Sequence, residues 1–402
     1  MRCGFSVGRT TAEASMRDQL NRFKTKTVTD DRPKIGKREA QDNPAKESLK
    51  SKCISVIVDN FATRPLKEVI PPEQMAEITC RLPTNMPPTI GARYIYNENY
   101  WKRCCVEKYG WQNCRLPEHG FMWKQMYFEK FLQERLEDFD TASESVEVLY
   151  DLLDACMDYI FTLSFQQLPS HLDLYELCSY LPNLTRLNLT YGVNNVGMNY
   201  ERMLFGMKIS DATNLAKTFE STQMLSTLIL TGNMIDDDLL RMLMTGLIRN
   251  NTVTFLDMSH NRISNHGARL LSKLLDKNSV LNSLVLVDNQ IHTEGGRYFA
   301  RALRDNKSLS QLNLRLNHLG DDGCRLLLEG VQDNLTLVDI NLASNNMGNQ
   351  GLHTLCSILR EKDHKVTSVD LAGNDLTAEH IQFIKMSLAA NRSLTAIDLR
   401  RN

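Results

Sequence analysis

The 402-residue chain contains no run of about 18 apolar residues, so no segment has the length of a membrane-spanning helix. Residues 1–50 are polar and rich in Lys and Arg, with no apolar leader-like stretch, and none of the ten cysteines forms a Cys-x-x-Cys pair. Reduced thiols in an intracellular protein are therefore expected. The phosphate-cradling GxxxxGK[ST] loop, the GxSxG elbow, the HExxH pair and any recurrent grouping of His, Asp and Ser are also absent. Nine histidines are scattered, with His260, His266 and His292 falling in loops. The expectation is a protein that is not an enzyme and that uses no cofactor. Cys104, Cys105, Cys114 and His119 have the donor types of a zinc site, but their spacing lacks the close ligand pair that zinc sites use. Buried thiols are the expectation there, and no metal site is assigned.

What the sequence does contain is a period. Val253-x-x-Leu256-x-Met258-x-x-Asn261 recurs as Leu281 to Asn289, Leu309 to Asn317 and Leu337 to Asn345, with the Asn positions 28 apart. The same frame reaches back to Asn233 and on to Asn374 and Asn402, at steps of 28, 29 and 28. In each unit the period-2 apolar positions mark a short strand facing inward. The Asn ends it with a side chain that both donates and accepts, able to satisfy backbone groups of its own coil and of a neighbour. Stacked units give a parallel sheet and a ladder of Asn233, Asn261, Asn289, Asn317, Asn345, Asn374 and Asn402. The second half of each unit reads as helix. After Asn261 come Ile263, Leu270, Leu271, Leu274 and Leu275 at helical intervals, and a glycine recurs six residues past the Asn at Gly267, Gly295, Gly323 and Gly351, where helices pack close. A 28-residue unit with a full helix resembles the ribonuclease-inhibitor-like class of leucine-rich repeats: an α/β solenoid shaped as a horseshoe, parallel sheet inside and helices outside.

Net charge is −1, yet residues 1–50 hold 12 Lys and Arg against 7 Asp and Glu, leaving 35 against 41 for the remainder. A basic tail on an acidic body reads either as an arm for an acidic surface such as tubulin or nucleic acid or as a solvated disordered tail. Three regions follow: residues 1–45 as that tail, 46–140 as a helical, aromatic-rich domain, and 141–402 as the repeat domain with a capping helix. In the second region Leu49, Cys53, Val56, Ile57 and Phe61 fall on one helical face, Pro71-Pro72 opens a helix carrying Met75, Ile78 and Leu82, and Trp123, Tyr127 and Phe131 lie along a third. The rings are expected to fill a small core rather than form a binding platform. The repeat region opens on Val148, Leu149, Leu152, Leu153 and Cys156. Ile160-x-x-Leu163-x-Phe165 and Leu184-x-x-Leu187-x-Leu189 follow as degenerate units 24 apart, with Gly192 where the Asn belongs. Excess chain from Val193 to Lys208 leaves the rim and carries Tyr200, Met203 and Phe205, candidate contact residues on a loop held by a rigid scaffold.

The outward strand positions run Asn188, Ile229, Asp257, Val285, Asn313, Asn341, Asp370 and Asp398, with Thr254, Asn282, Ser310, Thr367 and Thr395 beside them. This floor is polar and mildly acidic, the wrong sign for nucleic acid, and is a candidate partner-binding surface formed by Asp257, Asn313, Arg315, Asn341, Asp370 and Asp398. Arg315 also raises an arginine finger, for which one exposed arginine is poor support. The last residue, Asn402, is the ladder Asn of a unit without its helix, so either the chain is trimmed or a partner covers the end.

The run Cys53-Ile54-Ser55-Val56-Ile57-Val58-Asp59-Asn60-Phe61, the Pro71-Pro72 turn, Asn97-Glu98-Asn99-Tyr100-Trp101-Lys102-Arg103-Cys104-Cys105 and Trp123-Lys124 through Glu129 resemble the T-complex-associated testis-expressed family, subunit 5 of the dynein regulatory complex, over roughly residues 50–402. The resemblance implies a non-catalytic scaffold in the nexin link between doublet microtubules of motile cilia and sperm flagella. It would contact other regulatory-complex subunits in a hetero-oligomeric assembly of the axonemal cytoskeleton, with no nucleic acid and no membrane. The alternative is an F-box-like leucine-rich-repeat adaptor of a ubiquitin ligase, which also places a helical, Trp-containing segment ahead of its repeats.

Overall fold

The structure, a computed structural model, describes residues 48–66, 70–140, 144–168, 171–193, 201, 204–275, 279–361, 364–389 and 391–402. Residues 53–402 form one compact unit. Among the described residues six α-helices precede the strands: α1 (Leu49–Asn60), α2 (Pro72–Arg81), α3 (Pro88–Tyr94), α4 (Glu98–Tyr109), α5 (Trp123–Glu137) and α6 (Val146–Cys156). Local chemistry sets their ends. Proline occupies the first position of α2 and α3, where its missing N–H costs nothing. The Asn97 side chain accepts from the Asn99 N–H at 2.9 Å to cap α4, and Gly110 stops that helix at φ 77°.

Trp101 is the centre of the helical packing. Its ring lies 4.9 Å from those of Tyr127 and Phe128 and 5.1 Å from that of Tyr100, and its indole N–H donates to the Ile95 carbonyl at 2.9 Å. A Cβ on Gly91 would come within 2.9 Å of the same ring. Most of the aromatic cluster thus fills a core, while Trp111 is 61% exposed. In α1 the buried residue is Ile54, and Leu49, Cys53 and Val56 are exposed, so the apolar face lies about one residue round from the sequence expectation.

Nine parallel strands then stack in chain order: β1 (Thr162–Leu168), β2 (Arg186–Tyr191), β3 (Thr227–Ile229), β4 (Phe255–Asp257), β5 (Ser283–Val285), β6 (Gln311–Asn313), β7 (Asp339–Asn341), β8 (Ser368–Asp370) and β9 (Ala396–Asp398). The partner of Thr162 is Arg186, that of Arg186 is Thr227, and from Thr227 the register advances to Phe255, Ser283, Gln311, Asp339, Ser368 and Ala396. The long second step contains the excess chain after Gly192. A helix follows each of β1 to β8: α7 (Leu174–Ser179), α8 (Ile209–Ser221), α9 (Asp237–Leu247), α10 (Asn265–Leu274), α11 (Thr293–Asp305), α12 (Gly320–Gln332), α13 (Asn349–Arg360) and α14 (Ala378–Leu388). Leu228, Leu256, Leu284, Leu312, Ile340 and Val369 of successive strands are all buried in the layer between sheet and helices. The α/β solenoid of parallel sheet and helices, with a helical segment ahead of it, is the architecture expected from the period.

Side chains stitch each coil to the one before. Asn317 donates from Nδ2 to the carbonyl of Leu286 in the preceding coil at 2.8 Å and to that of Leu314 in its own at 3.0 Å, while its Oδ1 accepts from the Ile291 N–H at 3.2 Å. Asn261, Asn374 and Asn402 repeat the arrangement, and Asn233, Asn289 and Asn345 make the same link backwards. The residue ahead of each ladder Asn is left-handed, from Gly232 through His260, Asp288, Leu316, Ser344 and Gly373 to Arg401. On the helix side the link points forward. Asp237 in the first turn of α9 accepts from the N–H groups of Ser264 and Gly267, both at 2.9 Å, and so caps α10. Asn265 caps α11 and Asp321 caps α13 in the same way. A Cβ at Gly267 would lie 2.5 Å from the Asp237 carboxylate, which is why that position is glycine.

Lys124 is 1% exposed, with Nζ donating to the Ala92 carbonyl at 2.7 Å and the Tyr159 hydroxyl at 2.9 Å, 4.0 Å from the Tyr159 ring centroid. Burial pulls its pKa down to about 8. Between that value and the ordinary lysine range the unfolded chain binds a proton that the folded chain does not, so this group makes stability rise with pH across the window. Relative to Lys124→Met, the natural protein should gain roughly 3 kcal/mol between pH 8 and 11, read from urea unfolding at successive pH values. Asn317→Ala strands the Leu286 carbonyl and the Ile291 N–H in the interior, while Asn345 still donates to the Leu314 carbonyl, and should cost about 2–3 kcal/mol in the same assay at neutral pH, where a surface substitution costs about 0.5 kcal/mol or less.

Candidate functional site

On three-residue strands whose middle residue faces the core, the flanking residues stand on the open face of the sheet. The last residue of each strand forms one column of half-buried side chains: Ile229, Asp257, Val285, Asn313, Asn341, Asp370 and Asp398. The structure brings the five polar members into line and also occupies them. Each directs an oxygen at the N–H two residues on: Asp257 to Ser259 at 2.9 Å, Asn313 to Arg315 at 3.1 Å, Asn341 to Ala343, Asp370 to Ala372 and Asp398 to Arg400 at 3.0 Å. These side chains close the turn that leads from strand to ladder. Asp257 also accepts from the Ser259 hydroxyl at 2.6 Å, and Asp370 from Asn341 Nδ2 at 2.8 Å. The Arg400 guanidinium beside Asp398, together with the Arg400 N–H, holds that carboxyl down at about 2.

Arg315 occupies the same position relative to Asn313 as Arg400 does to Asp398, is exposed, and donates its backbone N–H to Asn313. Toward the middle of the sheet the face turns apolar, with half-buried Ile229, Phe255 and Val285. Of the three residues on the insertion, Tyr200 and Met203 lie outside the described residues. Phe205 pairs with Gly192 in an antiparallel bridge that draws the two ends of the insertion together. The Met207 N–H donates to the Asn233 carbonyl at 2.9 Å, which ties the returning chain to the ladder.

The thiols and histidine of the helical segment point to different partners. Cys104 Sγ lies 3.7 Å from the Thr84 carbonyl, Cys105 Sγ 3.5 Å from that of Trp123 and Cys114 Sγ 3.3 Å from that of Gly110, while His119 pairs with Glu129. Among the described residues no three His, Cys, Asp or Glu side chains are placed to hold a metal ion. The nine cysteines among the described residues are free, and burial pushes the thiols of Cys156, Cys178 and Cys324 up to about 12, so they stay protonated at neutral pH. Among the described residues no helix is long and apolar enough to cross a membrane.

Two features escaped the sequence pattern. One is a second Asn series at the opposite edge of the coils: Asn250, Asn306, Asn334 and Asn391 each donate to a carbonyl of the preceding coil at 2.7–2.9 Å and accept from N–H groups two and three residues on. Its signal is Asn-x-Ser/Thr followed by an apolar residue, recurring in the same frame as the main ladder. The other is Glu129, buried in α5. It accepts from the N–H groups of Phe161 and Thr162 at 2.9 and 2.8 Å and so joins the helical segment to the first strand.

Strand, Asn ladder and helix in this repeat define a leucine-rich-repeat protein. A family model described as "Leucine Rich repeat" matches residues 249–272, 277–300, 305–328 and 333–356. The particular relatives are proteins named "Dynein regulatory complex subunit 5". The protein of Chlamydomonas reinhardtii is 38% identical over 48% of this chain and 50% of its own length, that of Mus musculus 33% over 52% and 48%, and that of Homo sapiens 30% over 52% and 47%. The chain spans about half the length of the curated relatives it matches. The family resemblance read from the aromatic helices is the one these comparisons find.

Asp257→Asn keeps the oxygen that accepts from Ser259 and should leave stability unchanged within about 0.5 kcal/mol. Asp257→Ala removes it and should cost about 1–2 kcal/mol in urea unfolding, so only the Asn form isolates the charge.

Proposed function

We propose that this chain is a non-catalytic scaffold subunit of the nexin-dynein regulatory complex in the axoneme of motile cilia and flagella. It would hold other subunits of that complex in fixed relation and help regulate dynein-driven bending through protein–protein contacts. The observation that carries this reading is the similarity to four proteins named for that complex, from an alga to mammals. The physical character of the chain supports it. Buried side chains connect coil to coil from the aromatic helices to α14, with Ile397 of β9 partly buried against them, so a load applied at one end is met by packed core and ladder. The chemistry-bearing side chains of the sheet face are tied up in turns, an arrangement suited to a surface rather than a reaction centre.

In this reading the open face around Asp257, Asn313, Arg315, Asn341, Asp370 and Asp398, and the insertion carrying Tyr200, Met203 and Phe205, are the surfaces that meet neighbouring subunits. The basic residues 1–45 approach tubulin of the doublet. Residues 46–140 and 141–402 act as the helical and repeat parts of one scaffold.

Proximity labelling from this protein in motile ciliated cells, with salt-extracted axonemes as the fraction, should enrich regulatory-complex subunits and tubulin. Enrichment of cullin components in the soluble fraction, with none in axonemes, would instead establish the ligase-adaptor reading. The Asp257→Asn, Asp370→Asn, Asp398→Asn triple variant should fold normally and lower axonemal incorporation severalfold. Full incorporation of the folded variant would take the sheet face out of the assembly.

A further inference from the structure

Where the helical segment meets the first strands there is a cleft of about 810 Å³ lined by Arg115, His119, Lys130, Thr162, Ser164 and Arg186, with Tyr109, Asn113, Glu118, Gln133 and Gln166 completing it. Its size is that of a site for a ligand or peptide segment, but its walls are polar where metabolite pockets are mostly apolar. Three permanent cations face one carboxylate. Glu118 lies 3.4 Å from Arg115, and both are largely exposed, so solvent screens the pair. Lys130 spends one of its three donors on the Asn113 carbonyl at 2.8 Å. Arg186 heads β2 on the outward side of the sheet, exposed and without an ionic partner among the described residues. The other nearby acids are engaged: Glu129 with His119 and the β1 backbone, Glu134 with Lys108 at 2.6 Å, and Glu137 with the Gln166 N–H at 2.8 Å.

The cations stand on two opposed walls, Arg115 and Lys130 on the helical side and Arg186 on the strand side. A compact anion in contact with one wall leaves the other unmatched. An extended chain with carboxylates on successive residues presents negative charge to both sides at once, because its side chains alternate. The floor supplies hydroxyls to match: Ser164 accepts from Asn188 Nδ2 at 3.0 Å, which leaves its own proton free to donate. We propose that this cleft is a docking site for an extended acidic peptide segment of a partner protein. The segment enters at the basic end of the sheet face and continues toward the apolar Ile229 and Phe255. The inference rests on charge and shape and stands apart from the reading drawn from the relatives.

The test uses the full chain with fluorescein-labelled octaglutamate carrying a photo-crosslinking group, and a labelled Gly-Ser octamer as control, followed by anisotropy at about 50 mM salt. Octaglutamate should bind and the control should not. The Arg115→Ala, Arg186→Ala double variant should weaken octaglutamate by at least about tenfold, while Arg301→Ala on the outer face of α11 leaves it unchanged. Both cleft arginines are exposed, and an unaltered thermal melt confirms the fold of the variant. Cross-links should map to residues 109–133 and 162–186. Cross-links confined to residues 1–50, equal affinity in the double variant, or no binding at all would each overturn the proposal.

Discussion

The structure depends on one buried exchange of hydrogen bonds. At the end of each strand the backbone turns through a left-handed residue, whose own N–H reaches the next coil, but neighbouring groups such as the Leu286 carbonyl and the Ile291 N–H are left for a side chain to satisfy. The ladder Asn answers several of them with one amide, reaching its own coil and the coil before it. A hydroxyl or carboxylate in its place lacks either the second donor or the donors altogether. Once that amide is fixed at a 28-residue spacing, strand register, helix length and the stacking distance of the glycines follow.

The period was legible because it repeats: seven copies of one pattern average away the ambiguity that any single Leu-x-Leu leaves. The helical segment was legible in kind, since Trp101, Tyr127 and Phe128 do form a core, but not in detail. In α1 a shift of one residue moved Leu49 and Val56 to the outside, because a short helix with little contrast between its faces does not fix its own rotation. The second Asn series went unread although its spacing matched the first. Asn-x-Ser/Thr resembles ordinary turn chemistry, and only the carbonyl of the neighbouring coil shows what it satisfies.

The sheet face shows the larger limit of reading from sequence. Outward-pointing Asp and Asn were visible as charge and polarity. Their commitment to the following N–H groups was not, since it needs the turn geometry. The face therefore keeps its charge but has fewer free acceptors than its composition offers, and its character varies along its length: Arg186 near the helical segment, Ile229, Phe255 and Val285 in the middle, Asp370 and Asp398 at the far end. Arg186 stood out in the sequence no more than any other arginine. It became notable when the fold set it across a cleft from Arg115 and Lys130.

The cross-coil links have a direction. A ladder Asn reaches into the coil made before it, and α10, α11 and α13 are each capped from the first turn of the preceding helix, by Asp237, Asn265 and Asp321. A growing polypeptide leaving the ribosome thus meets, at each repeat, a preceding coil that already presents the carbonyl its ladder Asn requires and, ahead of α10, α11 and α13, a capping side chain. Each coil can dock on that template as soon as its own residues emerge, and the next coil then completes its remaining hydrogen bonds, as Asn317 does for the Leu286 carbonyl and the Ile291 N–H, so assembly can proceed in the order of synthesis.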